Sequence, residues 1–347
     1  KAYTFLKKQL LHIVAFTLLL FLIGCSTQKN TWLSRNTLGV YTRFNVYYNG
    51  NESYKEGLTK INAAHKEDYS GILPMYPISV HSNASAATAE MERAIEKAKK
   101  AIKLYSFKKK PTKDPTKAKD PKYIALMNQE EYNPMMDEVW LLMGKAEFHK
   151  GDFLAAVGTF TYITKHFEND KDCIAEARIW MARAYAEMGW YYEAEDLLNK
   201  VNKEQFSYRL SGLFSTVNAD LLLKQKRYKE AYPFLELALE KETDKTLQTR
   251  FNYILAQLNE REKNNTKAQY YYSEVIKKNP PVEMDFNARL NNAKNNPPEF
   301  TDKSIKALNK LLKNSKYINY QDQTYYTLAK VYEQGKDTAS VIKYLSL

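Results

Sequence analysis

Alanines at positions 156, 194, 231 and 268 recur at spacings of 38, 37 and 37 residues, each inside an amphipathic run that follows another such run. No feature of the chain restricts its fold more. A constant period of roughly 20–50 residues means that one supersecondary unit stacks on copies of itself. The stretch EVWLLMGKAEFHKGDFLAAVGTFTYITKHF, from Glu138 to Phe167, shows the unit: two helical runs about Gly151-Asp152. Gly144 and Ala156 stand where the two helices would cross closely, so only small side chains fit. Gly151 supplies the turn and Asp152 is placed to cap the second helix. ARIWMARAYAEMGWYYEAEDLL repeats the pattern with Ala182, Tyr185, Gly189, Tyr191 and Ala194. FSTVNADLLLKQKRYKEAYPFLELAL does so with Ala219, Tyr228, Ala231 and Ala238. FNYILAQLNEREKNNTKAQYYYSEVI follows with Ala256, Ala268 and Tyr272, then Pro280 closes it.

Trp140, Gly144, Gly151, Phe153, Ala156 and Phe160 make the Glu138–Phe167 stretch resemble a tetratricopeptide repeat. That resemblance implies an all-α fold, a right-handed superhelical solenoid of helix pairs. The minimal motif is about 34 residues, so each loop between repeats here is a few residues longer. The core array of four repeats is placed at 123–278. Before it, residues 25–106 read as a helical, tetratricopeptide-like region. There TRFNVYYNGNESYKEGLTKI suggests helix, tight turn at Asn49-Gly50, and helix, with Ser53 and Glu56 spaced as a capping box. Ala84 to Leu104 is helical by propensity. After it, 279–347 reads as degenerate repeats: a helix through Ala293, a break at Pro297-Pro298, a helix near Thr301–Lys313, and a last restart with Tyr332 and Gly335. Solenoids need solvated end caps, so the array is expected to continue past residue 347.

Eleven Gly and 11 Pro in 347 residues agree with a helical chain. The formal charge is +12, but it is concentrated. Lys97 to Lys122 holds 11 Lys against Asp114 and Asp120, a net +9. Without the three lysines before residue 25, the rest of the chain is neutral. A nucleic-acid footprint would spread over a face of the fold, and no aromatic residue interleaves the lysines from Lys108 to Lys122 for base stacking. FKKKPTKDPTKAKDPKY, with three prolines and no apolar period, reads as a mobile linker over 107–122. Its Lys108, Lys109, Lys110, Lys113, Lys117 and Lys119 are a solvated spacer or an electrostatic contact for anionic headgroups or an acidic partner.

Lys1, Lys7 and Lys8 precede an apolar core from Ile13 to Ile23, broken by Thr17, with no Asp or Glu before Cys25. Eleven residues are too few to span a bilayer, which takes about 20; a basic start and a short apolar run read as an export signal. Leu22-Ile23-Gly24-Cys25 resembles a bacterial lipobox. That resemblance implies removal of 1–24 and acylation at Cys25, with several chains giving stable anchoring. Cys173 is then left with no disulfide partner.

Catalytic signatures are missing: the chain has no phosphate-cradling Gly loop, no His-Glu-x-x-His and no Cys-x-x-Cys. His149 and His166 stand at a turn and a helix end. No enzyme activity, cofactor, metal or small-molecule substrate is expected. Partner-binding residues belong on the concave face of each first helix, which gives Lys145, Phe148, Arg183, Asp220, Tyr253 and Gln257. This mixed set lacks the paired Lys and Asn that clamp a terminal carboxylate.

The lipobox, then NTWLSRNTLGVYTRFNVYYNGNESYKEG, then the Trp140 repeat and MGWYYEAEDLL resemble the PorW/SprE lipoproteins of Bacteroidota. The resemblance implies a scaffold of the type IX secretion system and of gliding motility. It would sit on the periplasmic side of the outer membrane, joining translocon to motor and ring complex. The lack of an acidic cluster after Cys25 agrees with a periplasmic position. Two other readings are a SusD-like glycan-binding lipoprotein and a barrel-assembly tetratricopeptide lipoprotein. The first needs long insertions between repeats, for which 137–276 has no room. The second favours five repeats ending in a cap.

Overall fold

A computed structural model describes residues 29–201, 206–296 and 301–347. Cys25, the expected export signal before it and Pro297-Pro298 lie outside these residues. Helices and short helical turns are the regular elements among them. They divide into two units, one built from 29–58 and 88–177 and the other from 59–87 and 178–347.

The first unit opens with α1 (Trp32–Tyr41), a π-helical turn at Thr42–Tyr47 and the start of α2 (Tyr48–Ala64). Asn49-Gly50 is therefore not a turn. The helix runs through it because a glycine is needed for close approach. A Cβ on Gly50 would lie 3.1 Å from Lys97 Cβ and 3.3 Å from Leu142 Cδ2. α3 (Thr88–Tyr105) starts four residues later than propensity alone suggests, since 81–87 is a 3-10 turn. Its buried Met91, Ala94, Ala98 and Ala101 fall at helical spacing on one face.

The basic linker carries local structure. Asp114 caps a turn at Pro115–Lys117 by accepting from Thr116 N and Oγ1. Asp120 then caps α4 (Pro121–Asn128), with Pro121 at its first position. Phe107 is buried with Leu38 and Tyr132.

α5 (Met136–His149) and α6 (Phe153–His166) form the helix pair read from Glu138–Phe167. The phenyl ring of Phe160 fills the place of the missing side chain at Gly144: a Cβ there would meet it at 2.6 Å.

In the second unit the pairs continue with α7 (Lys171–Glu187), of which 178–187 belongs here, and α8 (Tyr191–Asn199). Then come α9 (Tyr208–Lys224) and α10 (Tyr228–Lys241), and α11 (Lys245–Arg261) and α12 (Asn265–Lys277). Last are α13 (Val282–Lys294) and α14 (Thr301–Leu312), and α15 (Gln321–Gln334) and α16 (Thr338–Leu345). The four periodic alanines, 156 included, are completely buried.

Five turns within pairs share one device. The amides of Asp152, Trp190, Arg227, Asn264 and Asp337 each donate to the carbonyl five residues back. This Schellman geometry needs a left-handed residue just before the donor. Gly151 and Gly189 take it at φ 86° and 77°, but Lys226, Lys263 and Lys336 take it at 58–60° with a full side chain. The turn is thus encoded by position, and glycine occupies it only twice.

Candidate protein-binding groove

The face of the second unit's first helices is already occupied by the chain itself. Between α2 and α3 the sequence EDYSGILPMYPISV, Glu67 to Val80, forms no α-helix. Pro74 and Pro77 forbid one, and Tyr76 is extended at φ −135°, ψ 142°. Leu73 and Met75, two apart on an extended chain, point the same way. Both are fully buried in one cluster with Phe251, Tyr253, Leu255 and Ala256.

Polar contacts set the register of this inserted segment. Gln257 on α11 clamps its main chain from both sides: Leu73 N donates to Gln257 Oε1 at 2.9 Å and Gln257 Nε2 donates to Gly71 O at 2.7 Å. Arg250 pairs with Glu67 and donates to Pro74 O at 2.9 Å. The rings of Tyr69 and Tyr253 meet edge to face at 5.4 Å. On α7 the Arg183 guanidinium lies 3.7 Å from the centre of the Tyr76 ring. Burial pushes the Tyr76 hydroxyl up to about 12.

At the far end Ser79 Oγ donates to Glu187 at 3.0 Å and accepts from Lys224 Nζ at 2.7 Å. Lys224 also pairs with Asp220 at 3.0 Å and Glu187 at 3.2 Å. Burial pulls Lys224 down, but these two carboxylates outweigh it and keep the ammonium above its ordinary value. Asp220 is raised by burial, which Lys224 opposes and Glu187 reinforces. One buried cation faces two carboxylates, so ionising both would leave one negative charge uncompensated; burial together with that excess is what holds the Asp220 carboxyl up.

Four of the six residues expected on the groove, Arg183, Asp220, Tyr253 and Gln257, therefore come together around one extended segment. Lys145 and Phe148 belong to the first unit. Lys145 pairs with Glu176 at 2.6 Å, and Phe148 is fully buried, edge-on to Phe153. Lys108, Lys109, Lys110, Lys113, Lys117 and Lys119 are all exposed. Lys117 is 3.5 Å from Asp114, and Lys108 reaches the Tyr162 hydroxyl at 3.5 Å.

Residues that reading by repeat register missed are Arg250, Glu187, Lys224 and the segment itself. The signal was two prolines among alternating apolar residues, a pattern of bound extended chain.

Elsewhere in the first unit a polar cleft is lined by Tyr132, Asp137, His166 and Asp170. Burial raises the Asp137 carboxyl to about 6. Cys173 is buried, and burial pushes its thiol well above the usual range, against nucleophilic use. Among the described residues no cluster of three or more His, Cys, Asp or Glu could hold a metal, and no helix is long and apolar enough to cross a membrane.

No protein-family model matches the chain, and no curated protein sequence matches it. Among solved structures, it is similar to the crystal structure of a tetratricopeptide repeat protein from Parabacteroides merdae. The two are 14% identical, over 85% of this chain and 98% of that one, with a TM-score of 0.34. The assignment to helix-pair repeats rests instead on the 37-residue register, the shared turn and the buried alanines described above.

Proposed function

We propose that the protein is a non-enzymatic, lipid-anchored scaffold that holds partner proteins on its helix-pair array. The finer reading is an outer-membrane lipoprotein facing the periplasm, like the PorW/SprE proteins, that bridges translocon and motor–ring complex of a type IX secretion system. One observation carries the coarser part. The first-helix face holds an extended polypeptide by side-chain bonds to its main chain at Gln257 and Arg250. That is the physical act a peptide-binding scaffold performs. The finer part is supported by Leu22-Ile23-Gly24-Cys25 and by the sequence resemblance that follows it.

Membrane fractionation with Cys25→Ala tests the anchor: release into the soluble fraction is expected, and unchanged retention contradicts it. Cross-linking and affinity recovery from native membranes tests the assignment. Secretion-system components are expected; porins or sugar transporters in their place would overturn it.

A further inference from the structure

The internal segment covers only part of the first-helix face. In each first helix the pattern is the same. A buried alanine packs against the second helix, and the residue after it and the residue three before it face outward to the groove. The alanines are Ala182, Ala219, Ala256, Ala293 and Ala329, all nearly or fully buried. The residues after them are Arg183, Asp220 and Gln257, then Lys294 and Lys330; those three before are Ile179, Thr216 and Tyr253, then Leu290 and Tyr326. Across α7, α9 and α11, Arg183, Thr216, Asp220, Tyr253 and Gln257 at these positions meet the segment from Glu67 to Ser79. Across α13 and α15 the same positions line an open cavity of about 550 Å³.

The cavity adjoins the bound segment. Asn291 lines it and donates to the Tyr253 hydroxyl at 3.3 Å, and Tyr69 of the segment packs on that same Tyr253 ring. A chain entering here would lie end to end with the segment's N-terminal side.

We infer that the α13–α15 stretch of the face is a docking site for an extended segment of a partner protein that carries a carboxylate beside a large aliphatic or aromatic side chain. This rests on the scaffold reading. Continuity supplies the backbone geometry, since the adjoining three helices hold an extended chain in this register. The side-chain chemistry supplies the rest. Leu290 and Tyr326 give an apolar floor, and Tyr326 is 57% exposed. Where α11 has Gln257, which donates and accepts, α13 and α15 have lysines, which only donate. Two lysines in a row outnumber the one carboxylate of the lining, Asp322, and favour main-chain carbonyls and a carboxylate. Their present partners are weak competitors. Lys294 meets Glu260 at 3.2 Å and Lys330 meets Glu333 at 2.9 Å, in pairs where both lysines are more than half exposed. Such pairs contribute little and can be exchanged.

The test uses the full chain and three fluorescent probe peptides: Ser-Glu-Phe-Ser-Glu-Leu-Ser, the same with both Glu as Gln, and the same with both as Lys. Polarisation titrations are expected to show saturable binding of the Glu probe, weaker binding of the Gln probe and none of the Lys probe. Tyr326→Ala and the pair Lys294→Glu with Lys330→Glu should each weaken the Glu probe by about tenfold or more, the loss typical of an anchor residue. Lys306→Glu on α14 should leave it unchanged, and thermal melts should show all variants folded. No saturable binding, or equal binding of the Glu and Lys probes, or insensitivity to the variants, overturns the docking site. So does a concentration-dependent dimer abolished by the same variants, which would make a second copy the occupant. Recovery of secretion components by the Lys294→Glu, Lys330→Glu protein, if the probes fail, would leave the scaffold reading standing without this site.

Discussion

Replacing Gln257 by Leu removes one side-chain clamp on the inserted segment while keeping shape. Two hydrogen bonds go, to Leu73 N and Gly71 O, but they do not count equally. Gly71 is exposed, so its carbonyl turns to water at little cost. Leu73 is 1% exposed, and its amide would be left without an acceptor. A buried donor in that position costs about 1–3 kcal/mol. Against this stand the burials of Leu73, Met75 and Ile78, each worth about 1.5–3 kcal/mol. The segment should therefore stay docked and open more often. Amide exchange at Leu73 should rise roughly 5- to 150-fold, while α12 amides keep their protection. Gln257→Glu keeps an acceptor for Leu73 N and should hold most of the protection. Hydrogen exchange resolved by residue reads all three proteins. Unchanged exchange at Leu73 would refute the clamp. Exchange at Met75 and Ile78 as fast as in unfolded chain would refute the claim that apolar burial anchors the segment.

Lys226→Gly and Lys263→Gly should each stabilise the second unit by about 0.5–1 kcal/mol in urea titrations, because a left-handed residue with a side chain costs about 1–2 kcal/mol and glycine's extra unfolded-state entropy returns part of it; destabilisation would contradict the turn assignment. Gly144→Ala should lower stability by about 1–2 kcal/mol, since its Cβ would press the Phe160 ring and overpacking outweighs the gain in helix propensity. The double variant with Phe160→Leu should recover part of that loss, and strict additivity would argue that the two do not touch. Asp137 gives a pH test. Its carboxyl is raised to about 6 from 3.8 in the folded chain, so the folded state binds the proton more tightly and stability should rise as pH falls from 7 towards 4. The gain is about 3 kcal/mol at most. Asp137→Asn should be more stable than the parent at pH 7 and flat across that window; a parent flat in chemical denaturation between pH 7 and 4 would refute it.

What the sequence made legible was whatever repeats. The alanines at 156, 194, 231 and 268 mark where helices cross, and steric demand there is the same in every pair, so the pattern survives without alignment. The same register placed Arg183, Asp220, Tyr253 and Gln257 on one face. The Asn49-Gly50 turn failed because glycine has two uses, left-handed backbone and close approach, and only the neighbours Lys97 and Leu142 tell them apart. Lys226 and Lys263 failed in the opposite sense, since nothing local announces a lysine at positive φ. The inserted segment was invisible for a third reason. Its structure is dictated by helices about 110 to 190 residues further along the chain, as with Glu67 and Arg250, and no local periodicity encodes a long-range contact.

The two stretches of the first-helix face are not equivalent targets for a partner, and energetics decides between them. A peptide competing for α7, α9 and α11 must first expel Leu73 and Met75, re-exposing side chains worth roughly 3–6 kcal/mol together. It must also separate Arg250 from Glu67 and uncover the Lys224 cluster. The internal segment further enjoys the high effective concentration of a tethered ligand. Over α13 and α15 nothing need be expelled. A synthetic peptide with the sequence of residues 66–79 should therefore fail to bind the intact protein at its own segment's place. It should bind there only after Met75→Asp and Leu73→Asp loosen the resident copy. Polarisation with the labelled peptide reads both states, and a photo-crosslinker carried on the peptide reports the location. Binding to the intact protein at that position would refute the argument, and would mean that the segment exchanges with outside chains under native conditions.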